Sequence, residues 1–194
     1  MKLVLASKSG VRKAILDKYG IHNIVTPSNV DEDQVKEALL DEGANPEIIS
    51  KNLAELKSVK VSAKCPDQLV LGADSVISLD LKLINKPNSR EGAFEILRLL
   101  NGQKHYLISS VCISKNGSMI WNYTDKSELK MKKLSDTELK LYLDKIKTTT
   151  LLAYGVYQIE ADGLNLFEYI KGDRDSIMGL PIKQIKEYLN NYKV

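Results

Sequence analysis

The chain has 194 residues, 43% of them apolar and 27% charged, which allows one large domain or one domain with two lobes and excludes the disordered and membrane classes. Its 28 lysines and arginines against 25 acidic residues give a net charge of +3, too little to point to a nucleic-acid polymer or a membrane surface as partner. The stretch Met1 to Ala6 is too short for a secretory leader and no apolar run reaches the roughly 18 residues of a spanning helix, so the expected location is the cytoplasm. Cys65 and Cys112 stand in unrelated contexts and read as reduced core thiols.

Strand-like and helix-like segments alternate along the chain, which predicts an α/β layered architecture. Residues 2 to 6 read as a buried strand. After Ser7-Lys8-Ser9-Gly10, apolar residues Val11, Ala14, Ile15 and Leu16 fall at helical spacing, with Ser9 as N-cap and Gly20 as the stop. A second strand over 22 to 26 precedes the acidic loop Asp31-Glu32-Asp33 and a helix through about Glu42. Asn45-Pro46-Glu47 opens another helix that runs to about Lys64. Leu69 to Leu79 is a long apolar stretch with one carboxylate, Asp74, in its middle. After the Asp80-Leu81-Lys82 turn come Leu83, Ile84 and Asn85-Lys86-Pro87, then a helix with Ala93, Ile96, Leu97 and Leu100 on one face. His105 to Ser114 and Met119 to Met131 read as strands joined by an Asn116-Gly117 turn. Ser135 and Glu138 have capping-box spacing at the start of a helix ending near Lys147. The last third predicts a strand from Leu164 to Ile170, the segments Gly172-Asp173-Arg174 and Gly179-Leu180-Pro181, and a final helix to about Tyr192. No repeat, low-complexity tract or linker marks a domain cut, so residues 1–194 read as a single α/β domain.

Two places can carry chemistry. Ser7 to Arg12 lies between a strand and a helix, where backbone N–H groups and the positive end of the helix dipole suit a phosphate, and Arg12 and Lys13 can add a guanidinium fork and a point charge. The same residues also make an ordinary N-cap, and no Walker spacing is present. Asp74, flanked by Leu71, Ala73, Val76 and Ile77, needs a partner, a metal or a task to remain in a strand core, and a general base is one such task. Glu32 is a candidate second oxygen ligand for Mg²⁺, which usually takes one or two carboxylates with phosphates and waters; taken alone, Asp31-Glu32-Asp33 also reads as a solvated helix start. Lys86 follows the Asp74 strand in a loop, whereas spacing alone leaves Lys57 a helix surface charge. His22 and His105 lack metal-ligand spacing.

Leu5-Ala6-Ser7-Lys8-Ser9-Gly10-Val11-Arg12-Lys13, Gly72-Ala73-Asp74-Ser75-Val76, Lys86-Pro87, His105 with Ser109, and Gly179-Leu180-Pro181 occur in the order and spacing of the Maf family of nucleotide pyrophosphatases, and the resemblance covers essentially the whole chain. It implies a mixed, elongated sheet flanked by helices, two lobes around a central cleft, and hydrolysis of a nucleoside triphosphate to the monophosphate and pyrophosphate. A divalent cation, Mg²⁺ or Mn²⁺, and a homodimer are implied as well. Carried over by position, Asp74 matches the proposed proton acceptor, and Ser7, Ser9, Arg12, Glu32, Lys57, Lys86 and Ser109 fall on the family's other polar cleft positions; the expected metal ligands are then Glu32 and Asp74, and the expected substrate contacts Ser7, Ser9, Arg12, Lys57, Lys86 and Ser109. The chain departs from the family pattern at Gly10, where proline is usual. It also departs at Val11, Ser75 and Glu160, which look like base-selectivity positions and differ from the dTTP/UTP group. Glu160 resembles the 7-methyl-GTP group, and a carboxylate can accept from the N1–H and N2 amine of guanine. Two rivals accompany this reading: a nucleotide-binding regulator of septum formation and cell division with little catalysis, and an inosine-triphosphate-type house-cleaning pyrophosphatase.

Overall fold

The computed structural model describes residues 3–159 and 162–192. It contains a seven-stranded mixed sheet and, among those residues, eight α-helices. Strand β1 (Leu3–Leu5), every residue of it buried, is followed by α1 (Gly10–Lys18) and the edge strand β2 (Asn23–Val25). Helices α2 (Glu32–Asp41) and α3 (Pro46–Ser62) lead to β3 (Leu69–Leu79), and β1 pairs in parallel with both β2 and β3. The short β4 (Lys82–Ile84) runs antiparallel to β3, and α4 (Arg90–Leu100) follows. The long strands β5 (Lys104–Lys115) and β6 (Ser118–Met131) are joined at Asn116-Gly117, where both residues have positive φ as a tight turn requires. Helices α5 (Asp136–Asp144) and α6 (Thr148–Tyr154), a 3-10 turn at Asp162–Leu166, β7 (Phe167–Lys171), α7 (Arg174–Ile177) and α8 (Ile182–Asn191) complete the chain. The strand order is β2-β1-β3-β5-β6-β7, with β4 on β3.

Local signals account for most of these elements. Ser9, Asp31, Asn45, Ser89 and Ser135 each accept a backbone N–H from the first turn of their helices, and Ser135 with Glu138 forms the full capping box. Three expectations shift. Asp31 is a cap, so Glu32 and Asp33 belong to α2 itself and not to a preceding loop. The helix predicted to end near Lys147 stops at Asp144, and a further helix, α6, follows. The strand predicted from Leu164 begins at Phe167, after a 3-10 turn.

The chain falls into two compact units, one of residues 1–76, 108–126 and 173–194, the other of 77–107 and 127–172. The core of the first packs Leu3, Leu5, Leu69 and Leu71 with Ile15 and Leu16 of α1 and Ile182 and Ile185 of α8. In the second, α4 packs on α5 and α6, burying Ala93, Leu97, Leu139 and Leu151. Arg90 ties that layer together by donating to the carbonyls of Leu143 (2.7 Å), in the last turn of α5, and Ile146 (2.6 Å), just beyond it. Among the described residues, no helix is long and apolar enough to cross a membrane.

Candidate active site

The first unit holds a connected set of polar side chains, and the backbone explains how it forms. At Gly72 an added Cβ would lie 2.2 Å from the carbonyl oxygen of Ala54 and 2.7 Å from the nitrogen of Ser58. The backbone of α3 therefore rests directly on β3, and only glycine permits it. That approach lays Lys57 over Asp74, with Nζ 2.7 Å from Asp74 Oδ1. The same ammonium is 2.7 Å from Glu32 Oε1, at the start of α2. The Lys57 and Asp74 side chains are each only 6% exposed, whereas Glu32 reaches solvent at 36%. Ser50, also on α3, donates to the Asp74 carbonyl at 3.2 Å. Lys57, a bland helix charge by spacing, is thus the buried counter-ion of two carboxylates.

A second group surrounds Arg12. Its Nε donates to the Gly179 carbonyl (3.0 Å), Nη1 to the Ala73 carbonyl (3.0 Å) and Ser7 Oγ (3.2 Å), and Nη2 to Ser75 Oγ (3.2 Å). Ser75 continues the chain to Ser109 Oγ at 2.9 Å. Burial lowers the Arg12 pKa from its ordinary value, while the charges of Asp74 and Glu32 act in the opposite sense. Four of the roughly five N–H donors of a guanidinium are engaged within the protein. A two-pronged guanidinium fork toward phosphate is therefore not on offer in this conformation, and Arg12 chiefly fastens three segments together. Lys13 pairs with Asp17 one turn along α1, on an exposed face. Ser9 caps α1 through the Arg12 N–H (3.3 Å), and the Ser9 N–H itself donates to Ser7 Oγ (3.2 Å). The two groups meet at Ala73, whose carbonyl accepts from Arg12 and lies 3.5 Å from Lys57 Nζ.

The structure thus brings Ser7, Ser9, Arg12, Glu32, Lys57, Asp74, Ser75 and Ser109 into one network. Val11 instead packs against the apolar core. Lys86 is exposed in the loop after β4 and belongs to the second unit. Glu160 lies outside the described residues. Gly179 and Gly72 gained no role from spacing. Their signal was present in the Gly-Leu-Pro and Gly-Ala-Asp segments, but a glycine announces a close approach without naming what approaches. Gly179 has φ +100° and holds Arg12 through its carbonyl, and a Cβ there would stand 3.1 Å from Ser75 Oγ. The segment bearing it is anchored by Asp175, which accepts from the Tyr19 hydroxyl at 2.6 Å.

One atom in the network is incomplete. Among the described residues Asp74 Oδ2 is buried without a hydrogen-bond partner, whereas Oδ1 accepts from Lys57. An orphaned, buried carboxylate oxygen is costly unless a ligand or proton satisfies it. With Glu32 beside the same ammonium, the donor set of two carboxylates fits a hard divalent cation that completes its shell with water and phosphate oxygens. Among the described residues no group of three or more His, Cys, Asp or Glu side chains could hold a metal alone.

A mixed α/β sheet with a strand-to-helix turn and a buried carboxylate–lysine pair behind it is an arrangement that suits a phosphate-bearing ligand. The chain belongs to the Maf-like protein family, whose profile matches residues 2–192. It is 62% identical, over 99% of its length and 98% of the relative's, to a nucleoside triphosphate pyrophosphatase of Pelagibacter ubique (strain HTCC1062). It is 35% identical, over 100% of its length and 97% of the relative's, to a 7-methyl-GTP pyrophosphatase of Brucella abortus biovar 1 (strain 9-941). Among solved structures it is similar in fold to a HAM1 protein from Coxiella burnetii, with a TM-score of 0.56 and 11% identity over 99% of this chain and 100% of that one.

Proposed function

We propose that this protein is a nucleoside triphosphate pyrophosphatase, releasing pyrophosphate and a nucleoside monophosphate. The observation that carries the reading is Asp74: a carboxylate buried in a strand, held at Oδ1 by Lys57 and left without a partner at Oδ2. The unpartnered oxygen is the atom that can accept a proton from water attacking the α-phosphorus. As the new P–O bond forms, the bond from the α-phosphorus to the bridging oxygen breaks, and pyrophosphate leaves with that electron pair. Ser7, Ser9 and the N-terminus of α1 orient the triphosphate, with Arg12 holding the turn in shape through Ser7. Glu32 and Asp74 would hold a divalent cation, Mg²⁺ or Mn²⁺, which when bound neutralises phosphate charge. The names of the relatives support this reaction class.

For the base, we lean toward a 7-methyl-GTP-type substrate over dTTP or UTP. The departures at Val11, Ser75 and Glu160 support that lean, as does the name of the Brucella relative. The test is pyrophosphate release across a panel of canonical, 7-methylated and 5-modified nucleoside triphosphates. Turnover of 7-methyl-GTP well above dTTP and UTP is expected, and fast dTTP or UTP hydrolysis overturns the base assignment. Rapid ITP or XTP hydrolysis alone would point to the inosine-triphosphate-type enzyme. Stabilisation by nucleotides without any monophosphate product would favour the cell-division regulator and overturn the enzymatic reading.

A further inference from the structure

The network is already charge-balanced with no ion from solution: Arg12 and Lys57 stand against Glu32 and Asp74. Lys57 Nζ lies 2.7 Å from an oxygen of each carboxylate, so one ammonium holds the place between them. A divalent cation drawing on both carboxylates would stand a few ångströms from that ammonium, in a site where Lys57 is almost completely removed from water. Two cations cannot share that position without strong repulsion, because little solvent is present to screen them. We propose that Lys57 is an internal counter-cation that must release at least one of its carboxylates before a divalent metal can bind. The released ammonium then pairs with the triphosphate, so metal and nucleotide load together and the metal alone binds weakly. This deepens the metal assignment of the preceding section and rests on it.

Two features favour such an exchange. Lysine carries a compact charge on a flexible stem, unlike a guanidinium fixed in a fork. Arg12 contrasts with it in this same site, tied to Ser7, Ala73, Ser75 and Gly179 with little freedom to move. Glu32, the more exposed partner, sits on the first turn of α2 and can be exchanged at lower cost than buried Asp74. By linkage, whatever favours the displaced state of Lys57 favours both ligands reciprocally.

The experiment is calorimetric titration of MnCl₂ into the full-length wild type, Lys57→Met, Lys57→Gln and Asp74→Asn, with melting temperatures recorded with and without Mn²⁺. The Lys57 variants should bind Mn²⁺ at least about tenfold more tightly than wild type, and Mn²⁺ should raise their melting temperatures by more than it raises that of wild type. Lys57→Gln keeps a hydrogen-bond donor for the carboxylates, so it serves where Lys57→Met does not fold. Unchanged or weaker binding by the Lys57 variants, with wild-type binding that disappears in Asp74→Asn, overturns the counter-cation and leaves the metal assignment standing. Binding indifferent to Asp74→Asn, or no binding by any of the proteins, overturns the metal assignment and the counter-cation with it. A crystal structure of wild type grown with MnCl₂ tests the same point without a variant. Lys57 withdrawn from a carboxylate beside a bound ion supports the exchange, and an ion bound to both carboxylates with Lys57 still within hydrogen-bond distance of each overturns it.

Discussion

Lys57 in the first unit and His105 in the second are both titratable side chains taken out of water, and the protein accommodates them in opposite ways. Lys57 is met by two carboxylates at 2.7 Å. His105, with no exposure at all, lies among Tyr157 and Phe167 and contacts the Tyr157 hydroxyl through Nε2 at 3.3 Å. Burial brings the His105 pKa down to about 4, with only the Gln103 backbone opposing, and it pushes the Tyr157 phenol up. The second unit therefore stabilises a buried polar ring by keeping it uncharged, as a structural core does. The first retains paired ions where a well-packed apolar core would often be equally stable or more so, which supports the proposed placement of the site there.

The sharpest way to break that contrast is Asp74→Asn. The substitution keeps the size and a carbonyl oxygen toward Lys57 but removes the proposed proton acceptor, and pyrophosphate release by the folded protein should fall by about 10²- to 10⁴-fold. Turnover within a few-fold of wild type would make Asp74 a structural ion like any other. Gly72→Ala tests whether the close approach of α3 to β3 builds the site. With a Cβ placed 2.2 Å from a backbone oxygen, the cost in stability should be about 3 kcal/mol, read by denaturant unfolding. An unchanged midpoint would mean that α3 can retreat without loss.

His105 provides the matching test in the second unit. Its pKa in the folded protein lies below the value near 6.5 of an unfolded chain, so between those values the unfolded state binds more protons. Stability from this residue is fully present above about pH 6.5 and is lost as the pH falls toward 4, up to about 3 kcal/mol in total. Urea unfolding at steps from pH 7 to 4 should show that slope, and His105→Asn should flatten it. Should the slope survive the substitution, the acid sensitivity belongs elsewhere. The smallest effect is expected at Ser135→Ala, which removes a capping box from α5. A loss of about 1 kcal/mol with unchanged pyrophosphatase activity would show that the second unit tolerates local damage that the first does not.

Much of the fold was legible because its signals are local. The caps at Ser9, Asn45 and Ser135 and the Asn116-Gly117 turn act within a few residues, and each appears where spacing placed it. The boundary between α5 and α6 was not legible, since it depends on Arg90, some 50 positions earlier, reaching the carbonyls of Leu143 and Ile146. The site divides in the same way. Asp74 stood out because a lone carboxylate in an apolar strand is costly wherever the chain takes it. Lys57 did not, because a lysine on a helix has no local mark of burial.

Sequence alone determined the α/β class, the strand-to-helix turn at Ser7 to Arg12, the isolation of Asp74 among apolar neighbours, and, through five motifs in order, the family. Each depends on residue types at short spacing, which the chain carries into any conformation. Tertiary structure alone decided that Lys57 bridges Glu32 and Asp74, that Gly179 restrains Arg12, and that Asp74 keeps one oxygen unpartnered. Those facts depend on which segments meet, and an ion changes from a solvated charge into part of a reactive site only when packing removes the water around it.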